Sequence, residues 1–420
     1  MIYKEFKNGK YNIHFIKTDK FKTIGIEVIF KRPIVKREIA VRNILLSVML
    51  ESTKKLPSRR LLEIESENLY NLNYNISSHL SGNYNALEFS VIFLNENYTE
   101  LGMNEKSVEF LSDLIFNPDI ENNSFKAKAF KNAKNALVED LNTFNDSPRS
   151  YSSTRLYEEM FKDSILSYRA IGYKEDLDGI TESNLYDDYK DIIKNDYADI
   201  FVIGNFNEDN MLEIIKKYFP SNETEKERIS HFVTHDSFRS EVNRVTEKKD
   251  YLQSTLMLGY KIEDLTDFEK QYVSYVYSFI LGGSSNSKLF KTVREENSLC
   301  YSISSHIKSV SSSMVISAGI NASDSEKAIQ LINKCVQDMS DGNFDESEIN
   351  NAIITYINAL SEIEDEPSSI LNSCITQNFF GYDSLEKRKE NITKVTKEMI
   401  ISLGKKIHLD TIYLLEGNGD

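Results

Sequence analysis

Cysteine, histidine and long apolar runs are all scarce in this 420-residue chain, and each scarcity removes a class of function. The three cysteines, Cys300, Cys335 and Cys374, are odd in number and far apart, which argues against a disulfide framework and against a cysteine zinc site. No apolar run approaches the roughly 18 residues that a membrane helix needs, and the opening MIYKEFKNGKYNIHF lacks the apolar centre of a signal peptide. A cytoplasmic location is therefore expected. Cations are outnumbered, 50 Lys and Arg against 65 Asp and Glu, and the net charge of −15 argues against nucleic acid or an anionic membrane as partner. No Gly-x-Ser-x-Gly elbow occurs, and the loop GGSSNS from Gly282 to Ser287 has no phosphate-binding lysine.

What the chain has in quantity is material for burial: 40% apolar residues, with 23 Tyr and 23 Phe, enough for two cores. Its most telling stretch is the hexapeptide Tyr301, Ser302, Ile303, Ser304, Ser305, His306, which nearly repeats Tyr74, Asn75, Ile76, Ser77, Ser78, His79 at an offset of 227. Neighbours recur in the same order. Ile24, Ile26, Val28 and Phe30 alternate as a strand, and Leu252 to Tyr260 resembles it. Helical spacing over Ile39 to Thr53 has its counterpart in Phe268 to Leu281; Ser58 is placed to cap a further helix. Leu87 to Phe93 and Met314 to Ile320 both alternate, and long helices from near Ser124 to Phe144 and from Glu346 to Ile363 are expected to stop at Pro148 and Pro367. Strands ending in Gly204, Asn205 and in Gly417, Asn418 close each half. A duplicated domain follows: residues 1–219 and 229–420, joined by the charged linker 220–228. Each half is expected to be α+β, a mainly antiparallel sheet with helices packed on one side, because strands and helices come in blocks.

The stretch Ser287 to Ser305, SKLFKTVREENSLCYSISS, resembles the second-domain signature of the insulinase, pitrilysin and mitochondrial processing peptidase family of zinc peptidases. Gly282, Gly283 and Ser285 before it suit the same family, and the resemblance covers essentially the whole chain. It implies that Arg294 and Tyr301 bind the substrate backbone. It also implies that a catalytic member would carry His-x-x-Glu-His on the first-domain helix, two imidazoles for zinc and a glutamate as base. Aligned on Ser52 to Pro57, those positions here are Asn43, Leu46 and Ser47, and the third ligand position falls on Asp140, with Glu139 adjacent. Neither imidazole and no base is present. The chain looks most like the bacterial members that stand beside a catalytic partner, including those linked to elongation factor P modification.

Six histidines remain: His14, His79, His231, His235, His306 and His408. Only His231 and His235 have useful spacing; in an extended segment they lie about 13 Å apart, too far for one metal. No resident cofactor is expected, zinc belonging to a partner subunit. Arg294 and Tyr301 have an ordinary alternative, a surface ion pair with Glu295 or Glu296 and a half-buried strand tyrosine. The family spacing and two donors suited to a peptide carbonyl favour a substrate role. The expected function is a non-catalytic homologue that binds a peptide or protein substrate and supports a zinc-bearing family subunit, or pairs with itself. A zinc endopeptidase acting alone and a peptide-binding scaffold without a proteolytic partner are the alternatives.

Overall fold

A computed structural model describes residues 1–221, 227–235 and 237–418, with Asn145 described in its backbone alone. Most of the expected linker, 222–226, lies outside the described residues. The chain opens with β1 (Ile2–Asn8) and β2 (Tyr11–Lys17), then β3 (Thr23–Pro33), α1 (Lys36–Met49), α2 (Arg59–Asn68), β4 (Asn73–Ser81) and β5 (Tyr84–Leu94). After α3 (Met103–Phe116) come the short strands β6 (Ile120–Glu121) and β7 (Ser124–Phe125). They lead to α4 (Ala127–Thr143), α5 (Pro148–Met160), α6 (Glu182–Asn195), β8 (Tyr197–Gly204) and α7 (Glu208–Tyr218). The later part holds β9 (Asn243–Lys248), β10 (Ser254–Ile262), a π-helical segment (Glu269–Val273) running into α8 (Ser274–Gly282), and a second π-helical segment (Phe290–Glu296). It continues with β11 (Cys300–Lys308), β12 (Ser313–Ile320), α9 (Ser325–Asp341), α10 (Glu346–Ile363), α11 (Pro367–Phe380), α12 (Leu385–Asn391), α13 (Lys397–Lys405) and β13 (Ile407–Glu416).

The duplication is visible in the strand order. One sheet runs β1-β2-β8-β3-β5-β4 and the other β9-β13-β10-β12-β11. Aligned at β3 and β10, the two orders match strand for strand, with β1 as an extra edge. Each sheet is antiparallel except at one equivalent pair, β2 with β8 and β9 with β13. The α+β expectation holds, and the hexapeptides at Tyr74 and Tyr301 both lie on edge strands, β4 and β11.

Period-2 alternation sets which face is buried. In the first unit Ile24, Ile26, Val28 and Phe30 of β3 join Leu87, Phe89 and Val91 of β5 and meet Ala40, Val41, Ile44 and Leu45 of α1. In the second, Leu256, Leu258 and Tyr260 of β10 meet Val276 and Ile280 of α8 and Ile332 of α9. Its opposite face is covered by α5, where Tyr151 and Leu156 bury Met257, Tyr413 and Leu415. Compactness therefore does not follow the linear halves. The first unit comprises Met1–Asn142, Arg169–Ile229 and Glu364–Ile375; the second comprises Thr143–Tyr168, Ser230–Ile363 and Thr376–Asp420. The reason is on α5 itself, whose apolar face matches the second sheet.

Local chemistry explains the boundaries. Ser58 accepts from the Leu61 amide and caps α2 as the sequence indicates. Pro148 does more than end a helix: Ser147 caps α5 and Pro148 is its first residue, where its missing N–H costs nothing. Pro367 likewise opens α11. The long helix starts at Ala127 rather than Ser124, because Ser124 and Phe125 pair with Glu121 and Ile120. The β1–β2 hairpin goes unassigned in the sequence reading, although Gly9, at φ 57°, supplies the conformation that its two-residue turn requires.

Candidate functional site

Helical spacing puts Asn43, Leu46 and Ser47 on one face of α1, at i, i+3 and i+4. All three are half-buried, while Ile44, Leu45 and Val48 between and after them point into the core. Asn43 Nδ2 donates to the carbonyls of Ile39 (3.0 Å) and Ala170 (2.9 Å), tying α1 to the turn at Arg169. Leu46 packs against the apolar core. Asp140 and Glu139 are exposed on α4, whose buried stripe is Phe130, Ala133 and Leu137.

The other candidate residues lie on and beside β11. Cys300 opposes Ile320 and Ser302 opposes Gly319, so Tyr301 is an extra residue with no opposite number. Such a bulge re-aims the side chain, and Tyr301 is 80% exposed. Its counterpart Tyr74 pairs regularly with Val91, donates its hydroxyl to Glu63 at 3.1 Å and sets its ring edge-on to Phe110. One hexapeptide therefore has two fates, one tyrosine tied down and one presented.

Arg294 sits in the second π-helical segment, exposed, its guanidinium 4.6 Å from the Phe290 ring centre. Among the described residues it forms no ion pair with a carboxylate. Burial pushes the Cys300 thiol upward in pKa and the Arg294 charge pulls against it, so the guanidinium and the base of the bulge share one neighbourhood. The first π-helical segment precedes α8, which approaches β11 so closely that a Cβ on Gly282 would lie 2.6 Å from the Ser305 amide nitrogen. The equivalent helices of the first unit, α1 and α2, are regular. Inserted π turns recur at functional sites because they re-aim side chains without ending the helix.

Comparison with known proteins shows what this chain is similar to. The M16 peptidase inactive domain matches residues 179–356. Nearly the whole chain is similar to the probable inactive metalloprotease YmfF of Bacillus subtilis (strain 168), 29% identical over 415 residues that cover 98% of this chain and 97% of that one. Over nearly its whole length the chain is similar to M16 peptidase homologues. Its fold matches the crystal structure of a conserved protein from Enterococcus faecalis V583, with a TM-score of 0.93 at 25% identity, covering 100% of this chain and 99% of that one. An M16 inactive domain from Pseudomonas fluorescens shares the fold at a TM-score of 0.80 and 13% identity, covering 100% and 99% of the two chains.

The family model and the relative that the chain matches are both named as inactive, and the α1 face here offers no ligand set that fits zinc. Asn43, Leu46 and Ser47, the positions that the resemblance assigns to two imidazoles and a base, carry a carboxamide, an isobutyl group and a hydroxyl, and the Asn43 amide is already committed to two carbonyls. No catalytic step through zinc follows from these residues. Among the described residues, no group of three or more His, Cys, Asp and Glu is placed to hold a metal ion.

The histidines of this M16 homologue serve packing. His14 is buried, accepts or donates at Tyr3 (2.8 Å) and stacks on Phe201. His231 stacks on Phe379, while His235 stacks on Phe161 and donates from Nε2 to the Ser311 carbonyl at 2.8 Å. Burial lowers the His235 pKa, favouring the neutral ring. His79 and His306 occupy equivalent edge-strand positions, and His408 reaches Glu263 at 2.7 Å. No helix among the described residues is long and apolar enough to cross a membrane. The bulge and the π turns are what sequence reasoning missed; the bulge has no local signature because it exists only in the register against β12.

Proposed function

We propose that this M16 homologue is a non-catalytic subunit that holds an extended peptide along the free edge of β11 and works beside a zinc-bearing partner, in the cytoplasm. The observation that carries this reading is the bulge that presents Tyr301 on an edge strand, next to an Arg294 free of carboxylate partners among the described residues. An edge strand offers unpaired backbone donors and acceptors to an added strand. A phenol and a guanidinium beside it supply further donors to the peptide's carbonyls. Nothing in the α1 face supplies a nucleophile or base, which supports a partner as the source of hydrolysis.

Peptide binding by the purified chain, followed by mixing with a His-x-x-Glu-His homologue from the same cell, tests the proposal. Binding that falls at least tenfold in Arg294→Ala, with the melting temperature unchanged, together with hydrolysis or stable association on mixing, is expected. Binding without any association would favour the scaffold reading. Stoichiometric zinc and hydrolysis by the lone chain would overturn the proposal.

A further inference from the structure

Beside β11 lies an open cavity of about 380 Å³, lined by that strand, α8 and α10. Its position relative to the edge matters first. Residues 305–307 of β11 line it, so a peptide added to this edge runs past its mouth, with alternate side chains directed to each side. One of them enters.

The chemistry of the wall then selects the side chain. Tyr275 and Phe279, one helical turn apart on α8, stack at 6.2 Å and 25° to form an aromatic wall. Ser274 lines the same cavity at the junction of the π turn with α8; the residue is 4% exposed and its hydroxyl has no hydrogen-bond partner among the described residues. A buried hydroxyl left unpaired is a standing cost, which a ligand hydroxyl removes. Among the described residues no carboxylate lines the cavity, and the one ammonium there, Lys270, is occupied by Asp267 at 3.1 Å and by the face of Phe232. A Lys or Arg side chain would meet only like charge, and an acidic one a cation already engaged.

We propose that this cavity is a subsite for a tyrosine-like side chain of the docked peptide, an aromatic ring that stacks on Tyr275 and Phe279 and carries a hydroxyl to Ser274. The inference rests on the proposed edge-strand binding and adds its selectivity.

Fluorescence anisotropy with nine-residue Ser/Thr/Ala peptides carrying Tyr, Phe, Lys or Gly at one central position is the test. Wild type is expected to bind the Tyr peptide about 5–10-fold more tightly than the Phe peptide, the effect of one added hydrogen bond. In Ser274→Ala that ratio should fall to about one. Thr355 is exposed on α10 at the cavity rim. Thr355→Tyr should plug the entrance without touching the core, bringing both aromatic peptides down to the Gly peptide. Equal binding of all four peptides by wild type, or a Tyr preference that survives Ser274→Ala, would overturn the subsite and leave edge-strand binding standing. Binding of none of the four would overturn both.

Discussion

Tyr74 and Tyr301 stand at equivalent positions of a duplicated hexapeptide, and their surroundings predict opposite costs of removal. Tyr74 packs on Phe110 and bonds to Glu63, so Tyr74→Ala should lower stability by about 1–3 kcal/mol. Tyr301 projects from a bulge, so Tyr301→Ala should stay within about 0.5 kcal/mol while weakening peptide binding. Urea unfolding of both variants checks this; a large loss at Tyr301 would make it a packing residue. A second residue-scale prediction concerns Glu27, on the face of the first sheet opposite its helices. Burial, and then the nearby Glu88 carboxylate, push its pKa up from 4.5 to about 9. Below 4.5 the folded and unfolded chains are both protonated here. Between 4.5 and about 9 the folded chain keeps a proton that the unfolded one has lost, so this group's contribution to stability declines as pH rises through that window. Glu27→Gln removes the decline, and its advantage over wild type at pH 8 should exceed that at pH 5 by more than about 1 kcal/mol. A pH-independent difference in melting would contradict it.

Elements show how far a sequence carries and where it stops. Strands β3, β5, β10 and β12 are legible because one face is apolar at period 2, and α10 is legible to its ends because Ile349, Ala352, Tyr356 and Leu360 keep helical spacing. Ser58 is legible as a cap because its chemistry is local. The bulge at Tyr301 is not, since it exists only in the register against β12. The cavity behind it depends on where α8 and α10 pack. Nor does the sequence show which sheet α5 covers: its apolar residues suit either until the opposing surface is known. That surface is Met257, Tyr413 and Leu415, with Leu156 fully buried among them. Leu156→Ala should therefore cost about 2–5 kcal/mol, the price of a large-to-small change in a closed core. Calorimetry would detect it, and a loss below about 1 kcal/mol would mean that α5 is loosely held. In HFVTH the two rings stack on different aromatics, His231 on Phe379 and His235 on Phe161, an arrangement that only the fold reveals.

At the scale of the molecule, duplication made two sheets of the same order from one plan, and then interleaved their coverings. Thr143–Tyr168, from the first repeat, is part of the second compact unit, and Glu364–Ile375, from the second repeat, is part of the first. The second repeat is thus incomplete without α5, a segment encoded in the first. The consequence is measurable. Residues 230–420 produced alone lack α5 and leave the apolar side chains of Met257, Tyr413 and Leu415 uncovered on one face of the sheet. Clustered apolar surface of that kind drives association. The fragment should bind a hydrophobic dye and aggregate, and supplying residues 143–168 as a separate peptide should suppress both effects. A fragment that melts cooperatively as a monomer without that peptide would show that α5 contributes little to the second unit. The two repeats would then be independent domains after all.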